Sequence, residues 1–188
     1  MSKITAMNEA IEIAVDKLKK HDAPLKLNGN IRVFGRDMRL DDQEFTLGAT
    51  DGGKPVKPAD RLLVLHYLLC DLPVKATGEL ISFRDFTGGQ FYYQPFLSRT
   101  VNPLVGRFGN NLEGLKKNLD RFYWEELKIG DFAAKIKTFG ELDLTLIYHL
   151  GDDEFPAAAE VLFDSCVKKV FEAEDAAVLA SRVCIGLL

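Results

Sequence analysis

The chain reads as α+β: a mainly antiparallel sheet built from two hairpin regions, with helices packed against it. Three observations carry this. Two regions, 31–47 and 131–150, hold short alternating or apolar runs separated by turn residues, as hairpins do. Other stretches repeat apolar residues at steps of three and four, the period of a helix with one buried face. The order of elements does not alternate strand with helix, as a doubly wound parallel sheet would demand.

Taken in order, Ile4, Met7, Ile11, Val15 and Leu18 form one helical stripe over residues 3–20, with Glu12, Lys17 and Lys19 outside it. Pro24 and Asn28-Gly29-Asn30 end that segment. Ile31, Val33 and Phe34 make a first strand, Gly35-Arg36-Asp37 a turn, Met38 to Leu40 a second strand and Gln43 to Leu47 a third. Thr50-Asp51-Gly52-Gly53-Lys54-Pro55 is a loop. Pro58-Ala59-Asp60 opens a helix to Cys70 whose leucines cover nearly the whole circumference, so it belongs at the centre of the core. Glu79 to Phe86 reads as a strand, and 94–108 and 112–127 as helices parted at Gly109-Asn110-Asn111. Asp131 to Phe139 and Leu142 to Leu150 form the clearest hairpin. Leu142, Leu144, Leu146 and Tyr148 share one face there, with Thr145, Ile147 and His149 on the other. Pro156 then fits the first position of a helix carrying Leu162-Phe163-Asp164-Ser165, and Glu172 to Asp175 opens a last helix.

At 188 residues the chain is set down as one domain, 1–188, since no tract rich in Pro, Gly or Ser divides it. A chain this long buries roughly 70% of the surface it exposes unfolded, enough for one sizeable core. Hydrophobic residues at 47% and charged residues at 28% are those of an ordinary globular protein. The net charge of −4 argues against a nucleic-acid partner, which favours a basic face. Three widely spaced cysteines, Cys70, Cys166 and Cys184, make neither a disulfide framework nor a metal-binding pair. The N-terminus has no signal-peptide pattern, and the apolar run 62–69 is too short to span a bilayer, so a cytoplasmic protein is expected.

Chemistry-bearing residues concentrate in two places. Asp152, Asp153 and Glu154 precede Pro156, where carboxylates suit the positive end of a helix, about 0.3–1 kcal/mol each. The same oxygens at a strand end also suit a metal or cationic ligand, with His149 three residues before Asp152 as an added ligand or acid–base partner. Asp164 stands four residues from Lys168, an ion-pair spacing on a helix worth about 0.2–0.5 kcal/mol, and beside the inward-pointing Phe163. That flank gives it a second reading: it accepts hydrogen bonds from the acidic turn or lines a pocket. Glu172, Glu174 and Asp175 again precede a helix. The second place is 83–96, where six aromatics surround Gly88-Gly89. Aromatics are mostly core, but Arg84, Tyr92, Tyr93 and Arg99 would also suit a pocket for a planar or anionic ligand. His66, on the central helix, reads as a satisfied core histidine. Arg32, Arg36 and Arg39 read as a solvated face, as do Lys116 and Lys117. No phosphate loop, dinucleotide fingerprint or nucleophile elbow is present, and the residues name no cofactor.

Five stretches, Leu63-Val64-Leu65-His66-Tyr67-Leu68, Ile81-Ser82-Phe83-Arg84-Asp85-Phe86, Gly151-Asp152-Asp153-Glu154-Phe155-Pro156, Leu162-Phe163-Asp164-Ser165 and Ala173-Glu174-Asp175, together resemble a bacterial and archaeal domain family of unknown function. The resemblance implies a setting in anaerobes, where some members are fused behind a cysteine-rich 4Fe-4S segment like that of corrinoid-handling proteins. That segment is lacking here, so no iron–sulfur role carries over. The expectation is an accessory or ligand-binding domain linked to redox or corrinoid metabolism, with a small molecule or a protein as partner. One alternative is a metal-dependent enzyme using His149, Asp152, Asp153 and Asp164. Another is a protein–protein module, with a homodimer as its minimal case, motivated by the apolar tail Val183 to Leu188.

Overall fold

The computed structural model describes residues 3–20, 29–41, 43–50, 52–70 and 73–188; Pro24, Asn28 and Asp51 of the expected turns lie outside them. Helix α1 (Lys3–Lys19) buries Ile11, Ala14 and Leu18 against α2 (Pro58–Leu68). Between the two helices in sequence lies a three-stranded antiparallel sheet of β1 (Asn30–Val33), β2 (Arg36–Leu40) and β3 (Leu47–Ala49). The hairpin turns on Phe34-Gly35, one residue earlier than the sequence suggests, and both carry positive φ, 49° and 78°. A two-residue turn of that kind matches the twist of the strands it joins. Phe34 is the wrong residue type for it, and is held there by burial of its ring against Phe139.

The second sheet has five strands in the order β4 (Leu80–Ser82), β8 (Ala158–Asp164), β7 (Leu144–His149), β6 (Phe132–Ile136) and β5 (Trp124–Leu127), every neighbour antiparallel. The chain leaves β4 at one edge and crosses through α3 (Tyr93–Arg99), α4 (Val101–Phe108) and α5 (Leu112–Leu119) to reach β5 at the other. It then meanders back to β8, and α6 (Ala173–Leu187) closes the fold over α4 and α2. The fold is α+β and antiparallel as expected. The two hairpin regions lie in separate sheets, joined by one core that runs from Ile31 and Met38 to Tyr148 and Phe163.

Five expectations need correction. The third strand, expected over Gln43 to Leu47, begins only at Leu47, after Phe45 takes a positive φ of 51° that no strand admits. Residues 158–164, expected as helix, are the strand β8. Alanines favour helix, but Val161 and Phe163 alternate inward and the strand is paired on both sides, which overrides that weak preference. Pro156 therefore opens no helix, and the acidic turn joins two strands. Helix 112–127 stops at Leu119, and Trp124–Leu127 pairs with β6. Strand 79–86 ends at Ser82, whose hydroxyl and Asp85 cap each other's backbone to start a short 3₁₀ turn at Phe83. Helix 94–108 is broken at Thr100, whose φ and ψ of −123° and −93° are not helical.

Candidate functional site

The acidic residues do not assemble. Asp152, Asp153 and Glu154 are exposed in the β7–β8 turn. Asp152 accepts the N–H groups of Glu154 and Phe155 at 2.8 and 2.7 Å, which holds its carboxyl below the usual range and shapes the turn. Asn110 clasps the adjoining Gly151 from both sides, at 2.9 and 2.8 Å. His149 sits 3.9 Å from Asp131. Among the described residues no group of three or more His, Cys, Asp or Glu side chains is placed to hold a metal.

Asp164 and Asp175 lie elsewhere. Asp164 ends β8, 7% exposed, and accepts from Thr77, Gly78 and Cys166. Burial alone would raise its pKa; the hydrogen bonds from Thr77 and Cys166 outweigh that and hold it well below the ordinary carboxylate. It pins the 77–78 loop to the sheet, and neither the helical ion pair with Lys168 nor bonds from the acidic turn are formed. Asp175, in the first turn of α6, lies 2.7 Å from the Nδ1 of a half-buried His66. With the paired Arg182 and Asp60, it ties α6 to α2.

The aromatic loop is largely core. Phe83 and Phe96 stack at 4.1 Å and pack with Phe86 on Phe163. Arg84 lies 4.0 Å over the Tyr93 ring. Tyr92 and Arg99 are exposed, as is Phe91 at 90%. The apolar tail docks inward, with Val183, Cys184 and Leu187 buried in the core. No helix among the described residues is long and apolar enough to cross a membrane.

A cleft of about 560 Å³ opens instead between the β1 hairpin and the β5–β6 end of the large sheet. Its size is that of a small-molecule site, which runs from about 300 to 1,000 Å³. Arg32, Tyr123, Trp124, Glu125, Lys135, Lys137 and Thr138 to Gly140 line it, though the Trp124 ring itself turns to the opposite face of the sheet, 5.9 Å from Phe132. The strands explain the placement. Glu125 lies opposite Lys135, and Lys137 donates its N–H to Tyr123 at 2.8 Å, so all four side chains project from one face. The facing wall is fixed by Phe34, whose N–H donates to Thr138 at 2.8 Å. Gly35 presses so close that a Cβ there would lie 2.6 Å from the Arg121 carbonyl oxygen.

Beneath the cleft is a buried charge. Asp143 is 4% exposed, and its Oδ2 lies 3.1 Å from Lys137 and 3.5 Å from Lys135. Its Oδ1 is buried with no hydrogen-bond partner among the described residues. The bond from Lys137 to Asp143 raises the lysine's pKa, so the ammonium stays charged at neutral pH. Arg32 is bidentate to Asp37 at 2.6 and 2.8 Å and lies 4.6 Å over the Tyr123 ring. None of these residues was singled out as a site from sequence. The available signals were Lys135 and Lys137 at alternate strand positions, and an aspartate inside the apolar run Leu142 to Leu150.

Residues 18–185 match the model of a domain of unknown function, DUF3786. No curated protein and no solved structure matches the chain.

Proposed function

The chain belongs to the DUF3786 family, and on that premise we propose that it is a ligand-binding accessory domain whose site is the cleft between the β1 hairpin and the β5–β6 edge. One observation carries this reading: a cavity of ligand size whose wall is braced by a backbone hydrogen bond and a non-glycine residue at positive φ. The acidic turn and the aromatic loop act as scaffold in this reading, since the first shapes its own hairpin and the second fills the core. Its metabolic setting, the redox or corrinoid-linked chemistry of anaerobes, comes from the family resemblance.

The two walls of the cleft are far apart in sequence, so occupancy is read from calorimetry together with hydrogen exchange at both walls. A small-molecule library titrated against the full chain should yield compounds that bind by calorimetry and slow hydrogen exchange at 30–35 and 121–125. Turnover of a bound compound would overturn the non-catalytic part. Binders that protect other segments and leave 30–35 and 121–125 unprotected would overturn the choice of site.

A further inference from the structure

We propose that the cleft takes an extended, uncharged segment of a partner protein, laid along the open edge of β1 as an added strand. This rests on the cleft being the binding site, and adds the class of what it holds.

Both walls of the cleft are strand edges. β1 is the outer strand of the three-stranded sheet and β5 of the five-stranded one, and both line the cleft. Along an antiparallel pair, alternate residues turn their N–H and C=O toward the neighbour and those between turn them away. The Leu40 N–H donates to the Gly29 carbonyl at 2.7 Å, which sets the phase for β1. With Ile31 opposite Met38 and Val33 opposite Arg36, these odd positions bond β2, and Asn30, Arg32 and Phe34 turn their backbone groups outward. Phe34 meets an acceptor there, the carbonyl of Thr138, which itself lines the cleft. Arg32 and Asn30, the next two outward positions, line the cleft with no outward backbone partner among the described residues. On β5 the Lys137 N–H donates to the Tyr123 carbonyl, and the same alternation leaves the backbone of Trp124 and Glu126 open.

Unpaired N–H and C=O groups along a strand are matched by another backbone, and are the template for strand addition. Charge gives no competing signal, since Arg32 pairs with Asp37, Lys137 with Asp143, and Lys135 with both Asp143 and Glu125. An ionised segment would meet no free counter-charge, so the segment that fits is uncharged. A second folded copy does not fit, because β1 faces the Tyr123 wall, with Arg32 4.6 Å over that ring, and two such recessed edges cannot meet. A single extended chain can enter, and the four residues of β1 give it about 13 Å of edge.

A phage-displayed library of random linear heptapeptides, panned on the full chain, supplies the probe. The peptides recovered should bind by calorimetry with an affinity that barely changes with salt. In residue-resolved hydrogen exchange they should slow the Arg32 amide and leave that of Ile31, already bonded to β2, unchanged. N-methylating alternate residues of a peptide should weaken it about tenfold in one phase and within about twofold in the other. Arg32→Pro removes the open N–H and no bond to β2, and should weaken the peptides about tenfold, while Arg32→Gln keeps that N–H and should bind them within about twofold of the parent. The methylated series reads the same contact on the unaltered chain, independently of how the Pro variant folds. Equal loss on Arg32→Gln and Arg32→Pro, or no phase in the methylated series, assigns the contact to side chains and overturns strand addition. A chain that sediments as a dimer with the Arg32 amide protected puts a second copy there and overturns the partner segment. No peptide recovered, while small molecules still protect 30–35 and 121–125, overturns the peptide class and leaves the cleft as the site. Peptides that protect only other segments overturn both.

Discussion

Replacing Asp164 by asparagine tests the reasoning most directly, because size is conserved and only charge and one acceptor change. In the native chain Oδ1 accepts from the Thr77 hydroxyl at 2.8 Å and the Cys166 N–H at 2.9 Å, Oδ2 from the Gly78 N–H at 2.7 Å, and the Thr77 N–H is shared between both at 3.0 Å. An asparagine keeps its carbonyl at the Oδ1 position, where more donors converge. Its amide then faces the Gly78 N–H, donor against donor. That orphaned group costs about 1 kcal/mol, near the low end because the loop is partly wet, and the remaining bonds fall from charge-assisted to neutral strength at about 0.5–1 kcal/mol each. The sum is about 2.5–4 kcal/mol, or a melting point lower by about 5–16 °C for a chain of this size. Thermal and urea unfolding measure it, with the exposed Asp153→Asn as control, expected within about 0.5 kcal/mol of the parent. The gap also has a pH signature. The folded pKa of Asp164 lies below its ordinary 3.8, so its stabilisation is fully present above that value and is lost as pH falls through the folded pKa. The difference between parent and variant should hold from about pH 7 to pH 5 and shrink below about pH 4. A difference under about 0.5 kcal/mol at neutral pH, the worth of an exposed ion pair, would refute the assignment of Asp164 as the pin of the 77–78 loop.

Asp60→Ala leaves the part-buried Arg182 without its carboxylate and should cost about 3–5 kcal/mol in urea unfolding, whereas replacing both partners with apolar residues should cost much less. Gly35→Ala puts a methyl group against the Arg121 carbonyl at a φ of 78°, and should destabilise by about 2 kcal/mol or more in urea unfolding while weakening any ligand that protects 30–35 from exchange. Burial, with Asp164 adding to it for Cys166, pushes the Cys166 and Cys184 thiols up to about 12, so at neutral pH a thiol reagent should label the folded chain at Cys70 before either of them, and all three after denaturation.

Much of the core was legible residue by residue. The stripe of α1 and the all-round apolar α2 follow from burial periodicity, which is local in sequence and survives into the fold; β6 and β7 were found as strands from their alternation, but both are covered on both faces. The edge strand β5 was not, because Trp-Glu-Glu-Leu has no strand signature of its own and becomes a strand by pairing with β6. The cleft was illegible for a related reason: its two walls are about ninety residues apart, from Arg32 to Trp124, and meet through a tertiary hydrogen bond.

Residue chemistry alone determined that this chain is α+β and that α2 is buried; it left the 83–96 aromatics open between core and pocket, and packing put Phe83, Phe86 and Phe96 in the core with Phe91 and Tyr92 outside. Tertiary structure alone decided which carboxylates work together. It sent Asp164 to a loop, Asp175 to His66 and Asp143 beneath two lysines, because an ionised group in a folded chain goes where donors converge, and donors converge by packing across distant segments.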